Sequence, residues 1–284
     1  MISRRGFLAG GIVLGGALMV DSFVVEPRRI KVEDVTIGIE GLRPEFDGFT
    51  ICQVTDIHHG VFVGRSYVDE VVDKVRATEP DLVALTGDYI DDSRSYMVPV
   101  IERLATLKGR YGTLAVLGNH DYFIEWQYSA DVIRSHGIRL LLNEHVVIEK
   151  GGARLCIGGT RDYFEDVPDV RKTFEGAPAG TPRVLLCHHP DYAEFLPRDV
   201  RVDLMLSGHT HGGQIRVPFT GYAPVVPSHF GQKYAGGLVS LQGSRGPDGR
   251  TPTRVYVSRG VGMALIPVRF NCPPELTFIR LRSV

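Results

Sequence analysis

What the sequence has little of narrows it first. Charge of one sign is missing: 32 Lys and Arg face 33 Asp and Glu, a net charge of −1 and a pI near 6.8. Bulk nucleic acid as a partner calls for a basic footprint, and none is present. A nucleotide-sized substrate stays open, because a small site needs only local positive charge. Cysteine is scarce, with four residues, Cys52, Cys156, Cys187 and Cys272. None forms a C-x-x-C pair, which argues against a zinc-thiolate site. The flanks of the first three read as buried strand, so they behave as small hydrophobes; pairing between them is left open. No apolar run reaches the ~20 residues that cross a bilayer. Repeats, low-complexity tracts and internal linkers are also missing. At 284 residues the chain has room for one large α/β domain with a substantial core.

The first segment stands apart. Ser3-Arg4-Arg5-Gly6-Phe7-Leu8 precedes an apolar, glycine-rich run from Ala9 to Val20. A basic start followed by a short apolar stretch reads as an export signal, and the paired arginines with Phe and Leu behind them resemble the twin-arginine type. No A-x-A cleavage site lies near Val20-Asp21-Ser22, so the segment is either a signal or a retained anchor extended by Phe23-Val24-Val25. The expected division is residues 1–26 as signal or anchor and 27–284 as the functional domain. The expected location is beyond the cytoplasmic membrane, in the periplasm or on the outer face. The expected partners are the twin-arginine (Tat) export machinery and, through the N-terminus, the membrane surface.

From Pro27 onward strands and helices alternate. Val32 to Ile39 reads as a half-buried strand and Phe49 to Thr55 as a buried one. Ser66 to Thr78 carries Val68, Val71, Val72 and Val75 at helical spacing, with Ser66 read as N-cap. Further strands are expected at 81–85 and 113–117, and helices over 96–107 and 126–136. The second half is richer in strands, expected at 146–149, 154–158, 184–187, 203–206, 214–217, 254–258 and 276–281. Gly236-Gly237 and Gln242 to Gly249 read as turns. This order predicts α/β layering with two sheets packed together.

One pattern recurs along the chain. A short apolar strand ends and a cluster of Gly, Asp, Asn or His follows at once: Asp56/His58, Asp88, Asn119/His120/Asp121, His188, and His209/His211. Ligands at the carboxyl ends of neighbouring strands converge on one sheet edge. Of ten histidines, all but His136, His145 and His229 lie in or beside these clusters. Imidazole mixed with carboxylate suits Mn, Fe or Zn. Asp56-x-His58 and His209-x-His211 are expected on one side of an extended segment, because strands alternate with period two. Gly87 and Gly118, and Gly208, Gly212 and Gly213, are expected to allow tight turns beside these ligands.

Taken in order, D-x-H (Asp56 to His58), G-D (Gly87-Asp88), G-N-H-D (Gly118 to Asp121), H-x-P (His188 to Pro190) and G-H-x-H (Gly208 to His211) resemble the calcineurin-like metallophosphoesterase family. The stretch from Tyr256 to Leu276 resembles its exported bacterial branch of YkuE-like and YaeI-like phosphodiesterases. The resemblance implies a four-layer αββα sandwich of two packed mixed β-sheets flanked by helices. It implies two divalent metal ions, Mn, Fe or Zn: Asp56, His58 and His211 on the first, Asn119, His188 and His209 on the second, and Asp88 bridging both. His120 would sit beside the substrate phosphate and Asp121 would fix its tautomer. The implied reaction is hydrolysis of a phosphodiester or pyrophosphate, lipid- or nucleotide-linked in its sharper form, by a metal-bridging hydroxide. A phosphomonoesterase and a non-catalytic metal-binding scaffold of the same fold are the alternatives. A metallo-β-lactamase-type hydrolase needs a compact H-x-H-x-D-H run, which this chain lacks.

Several neighbours have plainer readings. His59 and His189 sit next to ligands, and alternation points them away. Asp91 and Asp92 read as a solvated turn, Arg259 as a structural ion pair, and Tyr122 and Trp126 as core or pocket lining.

Overall fold

Apolar residues crowd into short runs, and in a computed structural model these runs become, among the described residues, twelve strands in two sheets. Residue 13 and residues 15–241 and 252–284 are described. The arginine pair Arg4-Arg5 and the expected turn Gln242 to Gly249 lie outside them.

The first sheet has the order β1-β12-β2-β3-β4-β5, with β1 Lys31–Ile39, β2 Thr50–Val54, β3 Leu82–Thr86, β4 Thr113–Val116, β5 Arg139–Leu140 and β12 Glu275–Ser283. The second runs β10-β11-β9-β8-β7-β6, with β6 Glu144–Lys150, β7 Ala153–Gly159, β8 Arg183–Leu186, β9 Leu204–Ser207, β10 Gly237–Ser240 and β11 Arg254–Val257. Both are mixed. In the first, β12 lies parallel to β1 and antiparallel to β2, while β2 to β5 are parallel neighbours. In the second, β11, β9, β8 and β7 run parallel between antiparallel β10 and β6.

The sheets face each other across a core that includes Ile51, Leu82, Leu114, Leu155, Val184 and Leu204. Helices Arg65–Arg76, Met97–Leu104 and Trp126–Ser135 cover the outer face of the first sheet, the first with the expected Val68, Val71, Val72 and Val75. The second sheet's outer face is covered more thinly, by helix Val170–Thr173 and 3₁₀ segments around Tyr192 and Tyr234. The four layers are present, with the fourth reduced to short turns.

Some local expectations need correcting. The first helix starts after Gly64, so Ser66 lies inside it and does not cap it. Residues 214–217 alternate in sequence but form no strand; Ile215 makes a single bridge to Phe270. Gly237, expected in a turn, opens β10. All four cysteines are free and buried. Residues ahead of Pro27 also make contacts with the domain. Ser22 and Glu26 are buried, the Ser22 carbonyl accepts from the Arg269 amide at 3.0 Å, and Glu26 Oε1 accepts from the Cys272 amide. Residues from Asp21 onward are thus docked on the domain.

Arg269 is the largest fully buried side chain. Its guanidinium donates to the carbonyls of Arg259, Gly260, Gly262 and Cys272 at 2.6–3.1 Å. These are the loops that back Asp56: the Gly262 amide donates to the Asp56 carbonyl at 2.7 Å. Burial costs the charge, and the four carbonyls offset that cost with charge-assisted bonds. Arg259 is the structural pair expected, bonded to Glu33 and Glu275 at 2.8 and 3.1 Å.

Candidate metal centre

Five strand ends meet at one edge. β2, β3 and β4 are parallel neighbours in one sheet and β8 and β9 in the other, so their carboxyl ends open on a common crevice. Asp56 and His58 follow β2, Asp88 follows β3, Asn119, His120 and Asp121 open the short helix after β4, His188 follows β8, and His209 and His211 follow β9. The two sheets are stitched here. Gln53 Nε2 donates to the Ser207 carbonyl at 3.0 Å, and His188 Nδ1 to the Thr86 carbonyl at 2.8 Å.

Strand alternation is not what aims these side chains. Asp56, His58, Asp88, His209 and His211 all have positive φ, between 48° and 68°. Non-glycine residues occupy that left-handed region seldom, at roughly 1–3 kcal/mol each where it is strained. The expectation that each D-x-H or H-x-H pair lies on one side of an extended segment is therefore corrected: each pair converges through consecutive kinks. The glycines divide between two tasks. Gly87 takes φ +94°, a true turn. Gly118 and Gly208 instead leave room: a Cβ on the first would stand 2.2 Å from Asp88 Oδ1, and on the second 2.1 Å from Asp56 Oδ2.

The side chains form overlapping groups whose donor atoms lie within 4.8 Å of one another: Asp56/His58/His211, His58/Asp88/His120, Asp56/Asp88/His188 and His188/His189/His209. Asp88 Oδ2 is 3.1 Å from His188 Nε2 and 3.5 Å from His58 Nε2. His58 and His211 turn their Nε2 atoms on each other at 3.0 Å, with Asp56 Oδ1 3.3 Å from His211 Nε2. Two donors each ~2.1 Å from one cation, at right angles, would stand about 3.0 Å apart. Asn119 Oδ1 is buried with no hydrogen-bond partner. Buried polar atoms normally have partners, so this donor set fits divalent cations.

Charge is shared unevenly across the cluster. Burial would push the Asp88 carboxyl up, but the charges of His188, His58 and His120 outweigh it and hold Asp88 well below the usual range. Burial would lower His188; the carboxylates of Asp88 and Asp56 carry it up to about 10. His209 and His211 are held well below the usual imidazole value, by burial first and then by neighbouring histidines. Their rings are neutral at pH 7, the form that binds metal.

His120 and Asp121 part company. His120 stays at the mouth of the site, its ring 4.5 Å from that of His58. The Asp121 carboxylate accepts from the backbone amides of Asp88, Tyr89 and Gly118 at 2.8–3.0 Å. It holds the Asp88 loop in place rather than the His120 ring. Burial and the Asp88 charge raise its pKa to about 7. The partner of His120 Nδ1 is the Asp91 carbonyl at 2.5 Å, which fixes the tautomer that had been assigned to Asp121. The Asp91 carboxylate also lies 3.5 Å from His58 Nδ1. Asp91 was missed because a backbone carbonyl leaves no residue-type signal.

His189 was misplaced too. β8 ends at Leu186, so alternation no longer applies, and the ring turns inward to 3.9 Å from His209, with Nδ1 2.8 Å from Asp162. His59 does point away, its Nδ1 on the Val63 carbonyl at 2.7 Å. Phe123 lies 5.4 Å from His120, and Phe164 5.7 Å from His209, both exposed at the crevice. Tyr122 stacks on Trp126 and bonds Asp166 at 3.1 Å, beside the core.

Comparison with known proteins follows the same lines. A sequence model described as calcineurin-like phosphoesterase matches residues 49–213. The chain is similar to the metallophosphoesterase YkuE of Bacillus subtilis, 33% identical across 99% of this chain and 98% of that protein. It is similar to the phosphodiesterase YaeI of Escherichia coli, 34% identical across 82% of each. Among solved structures, the NAD nucleotidase of Haemophilus influenzae superposes with a TM-score of 0.51 at 15% identity, over 75% of this chain and 45% of that one. That last likeness is one of fold.

Proposed function

We propose that this chain, which belongs to the calcineurin-like phosphoesterase family and is a metal-dependent phosphoric ester hydrolase, acts on a phosphodiester or pyrophosphate with two divalent cations held side by side. The observation that carries this reading is the place of Asp88, within 3.5 Å of His58 on one side and 3.1 Å of His188 on the other. Asp56, His58 and His211 would hold one cation, Asn119, His188 and His209 the second, and Asp88, whose Oδ2 faces His58 and His188, would contribute to both. When bound, such a pair acidifies a water held between the ions and neutralises charge on the phosphoryl oxygens. The mixed donors suit Mn, Fe or Zn.

The protein's own groups do the rest. Asp121 holds the Asp88 loop by three amides. The Asp91 carbonyl fixes His120 with its proton on Nδ1, which leaves Nε2 for the substrate side. His120 Nε2 is then placed to deliver a proton to the leaving oxygen as its bond to phosphorus breaks. The diester preference is supported by the likeness to a phosphodiesterase. The expected result is that protein reconstituted with Mn²⁺ hydrolyses bis(p-nitrophenyl) phosphate at least tenfold faster than p-nitrophenyl phosphate. The reverse order would make it a monoesterase, and no turnover of either by metal-loaded protein would leave the scaffold reading.

The reading includes export of the folded, metal-loaded chain through the twin-arginine route, supported by Arg4-Arg5 ahead of the apolar run. Arg4→Lys with Arg5→Lys is expected to retain the protein in the cytoplasm on cell fractionation; an unchanged distribution would remove this part.

A further inference from the structure

One histidine of the cluster lies outside the ligand pattern that the motifs imply. His189 is 1% exposed, and so is Asp162 beside it. The proline that follows favours extended backbone at position 189, and φ −86° with ψ 120° is what the residue adopts. Its ring lies against that of His209, centroids 3.9 Å apart, and 5.0 Å from that of His188.

The two nitrogens of this ring meet different surroundings. Nδ1 is 2.8 Å from Asp162 Oδ2. That carboxylate is fixed from its other side, where Oδ1 accepts the amides of Phe164 and Glu165 at 2.9 and 3.0 Å. A lone pair on Nδ1 would be repelled there, so Nδ1 carries the proton and Nε2 the lone pair. Nε2 is buried and has no hydrogen-bond partner, and Phe164 stands edge-on over the ring at 4.2 Å. A buried acceptor left unpaired is costly.

The surroundings supply an answer. His188, His189 and His209 each place a donor atom within 4.8 Å of the other two. Donors ~2.1 Å from one octahedral cation stand about 3.0 Å apart when adjacent and about 4.2 Å apart when opposite. One ion can therefore take all three. His188 shows the same arrangement as His189: its Nδ1 faces the Thr86 carbonyl at 2.8 Å, which frees Nε2. Metal-binding imidazoles are held in this way, with the second nitrogen on a carbonyl or carboxylate.

We propose that His189 is a further ligand of the second cation, through Nε2, with Asp162 holding its Nδ1 proton. This rests on the two-cation reading. The two ions then differ in their donors. Asp56, His58, His211 and Asp88 surround the first, whereas Asn119, His188, His189, His209 and Asp88 surround the second. With three imidazoles the second site favours Zn or Fe, while the first, with two carboxylates, accepts Mn more readily.

The test counts coordinated rings in the full chain loaded with Co²⁺. Bound cobalt moves the N–H resonances of its imidazole ligands far outside the ordinary NMR range. The wild-type chain is expected to take up two equivalents and to show a shifted N–H from His189, which His189→Gln removes while the other shifted resonances remain. Asp162→Asn keeps the ring and should move that same resonance without removing it, an arm that stands even where the glutamine variant does not fold. Either change should weaken one of the two Co²⁺-binding steps by about tenfold or more and spare the other. Two equivalents of cobalt with every shifted resonance retained in His189→Gln, or none moved in Asp162→Asn, would overturn the proposal and leave His189 a prop for the His209 ring. Fewer than two equivalents in the wild-type chain would overturn it together with the two-cation reading.

Discussion

Asp88→Asn is expected to lower turnover on the order of a thousandfold or more, about 4 kcal/mol of transition-state stabilisation, with metal content falling alongside. Asp88 is a carboxylate at neutral pH despite full burial, because the charges around it outweigh the cost of desolvation. Its Oδ2 faces imidazoles from both groups, and its Oδ1 accepts the His120 amide at 2.9 Å. Asparagine keeps the size but removes the negative charge and puts an NH₂ donor where one oxygen stood. A cation held there would then face a neutral amide in place of a carboxylate. The measurement is metal stoichiometry by elemental analysis beside kcat on a diester, with a thermal melt to show that the fold persists. Near-normal turnover at full metal content would remove Asp88 from the centre of the site.

His120→Ala is expected to divide the same two readouts. In the proposed role its ring passes a proton at the mouth of the crevice, and proton transfer by a positioned histidine contributes ~10²–10⁴ in rate, so kcat should fall by about that factor. Metal content should stay. Alanine keeps the backbone amide, so the hydrogen bond to Asp88 Oδ1 survives. The loss should be larger for an alkyl diester than for a p-nitrophenyl one, whose leaving group needs little protonation. His120 also belongs to a group with His58 and Asp88, which gives the experiment its edge. If metal is lost with the ring, His120 is a ligand rather than the acid.

The buried strands were legible because β2, β3, β8 and β9 are short runs of apolar residues interrupted at once by Gly, Asp or His. β5 was not, having two residues, and β10 opens on a glycine with half its side chains in water. Residues 214–217 alternate without lying on a sheet, and Ile215 and Val217 are themselves exposed. The ligand positions could be read as strand-end clusters, yet the reason they converge could not. Period-two reasoning stops where the strand stops, and beyond it φ is set by the loop. The same limit misplaced His189. Asp91 acts on His120 through a carbonyl that any residue could supply, and Asp121 spends its carboxylate on three backbone amides. Each is a tertiary arrangement with no trace in residue spacing.

The five kinked ligand positions set a trade between keeping the chemistry and keeping the fold. At each, glycine would adopt the same φ freely and relieve the backbone, while deleting a donor. A lineage freed from the need to turn over substrate would therefore gain stability by losing these side chains. Drifted copies of this domain should betray themselves first at positions 56, 58, 88, 209 and 211, through glycine or asparagine, while the strands behind those positions remain intact.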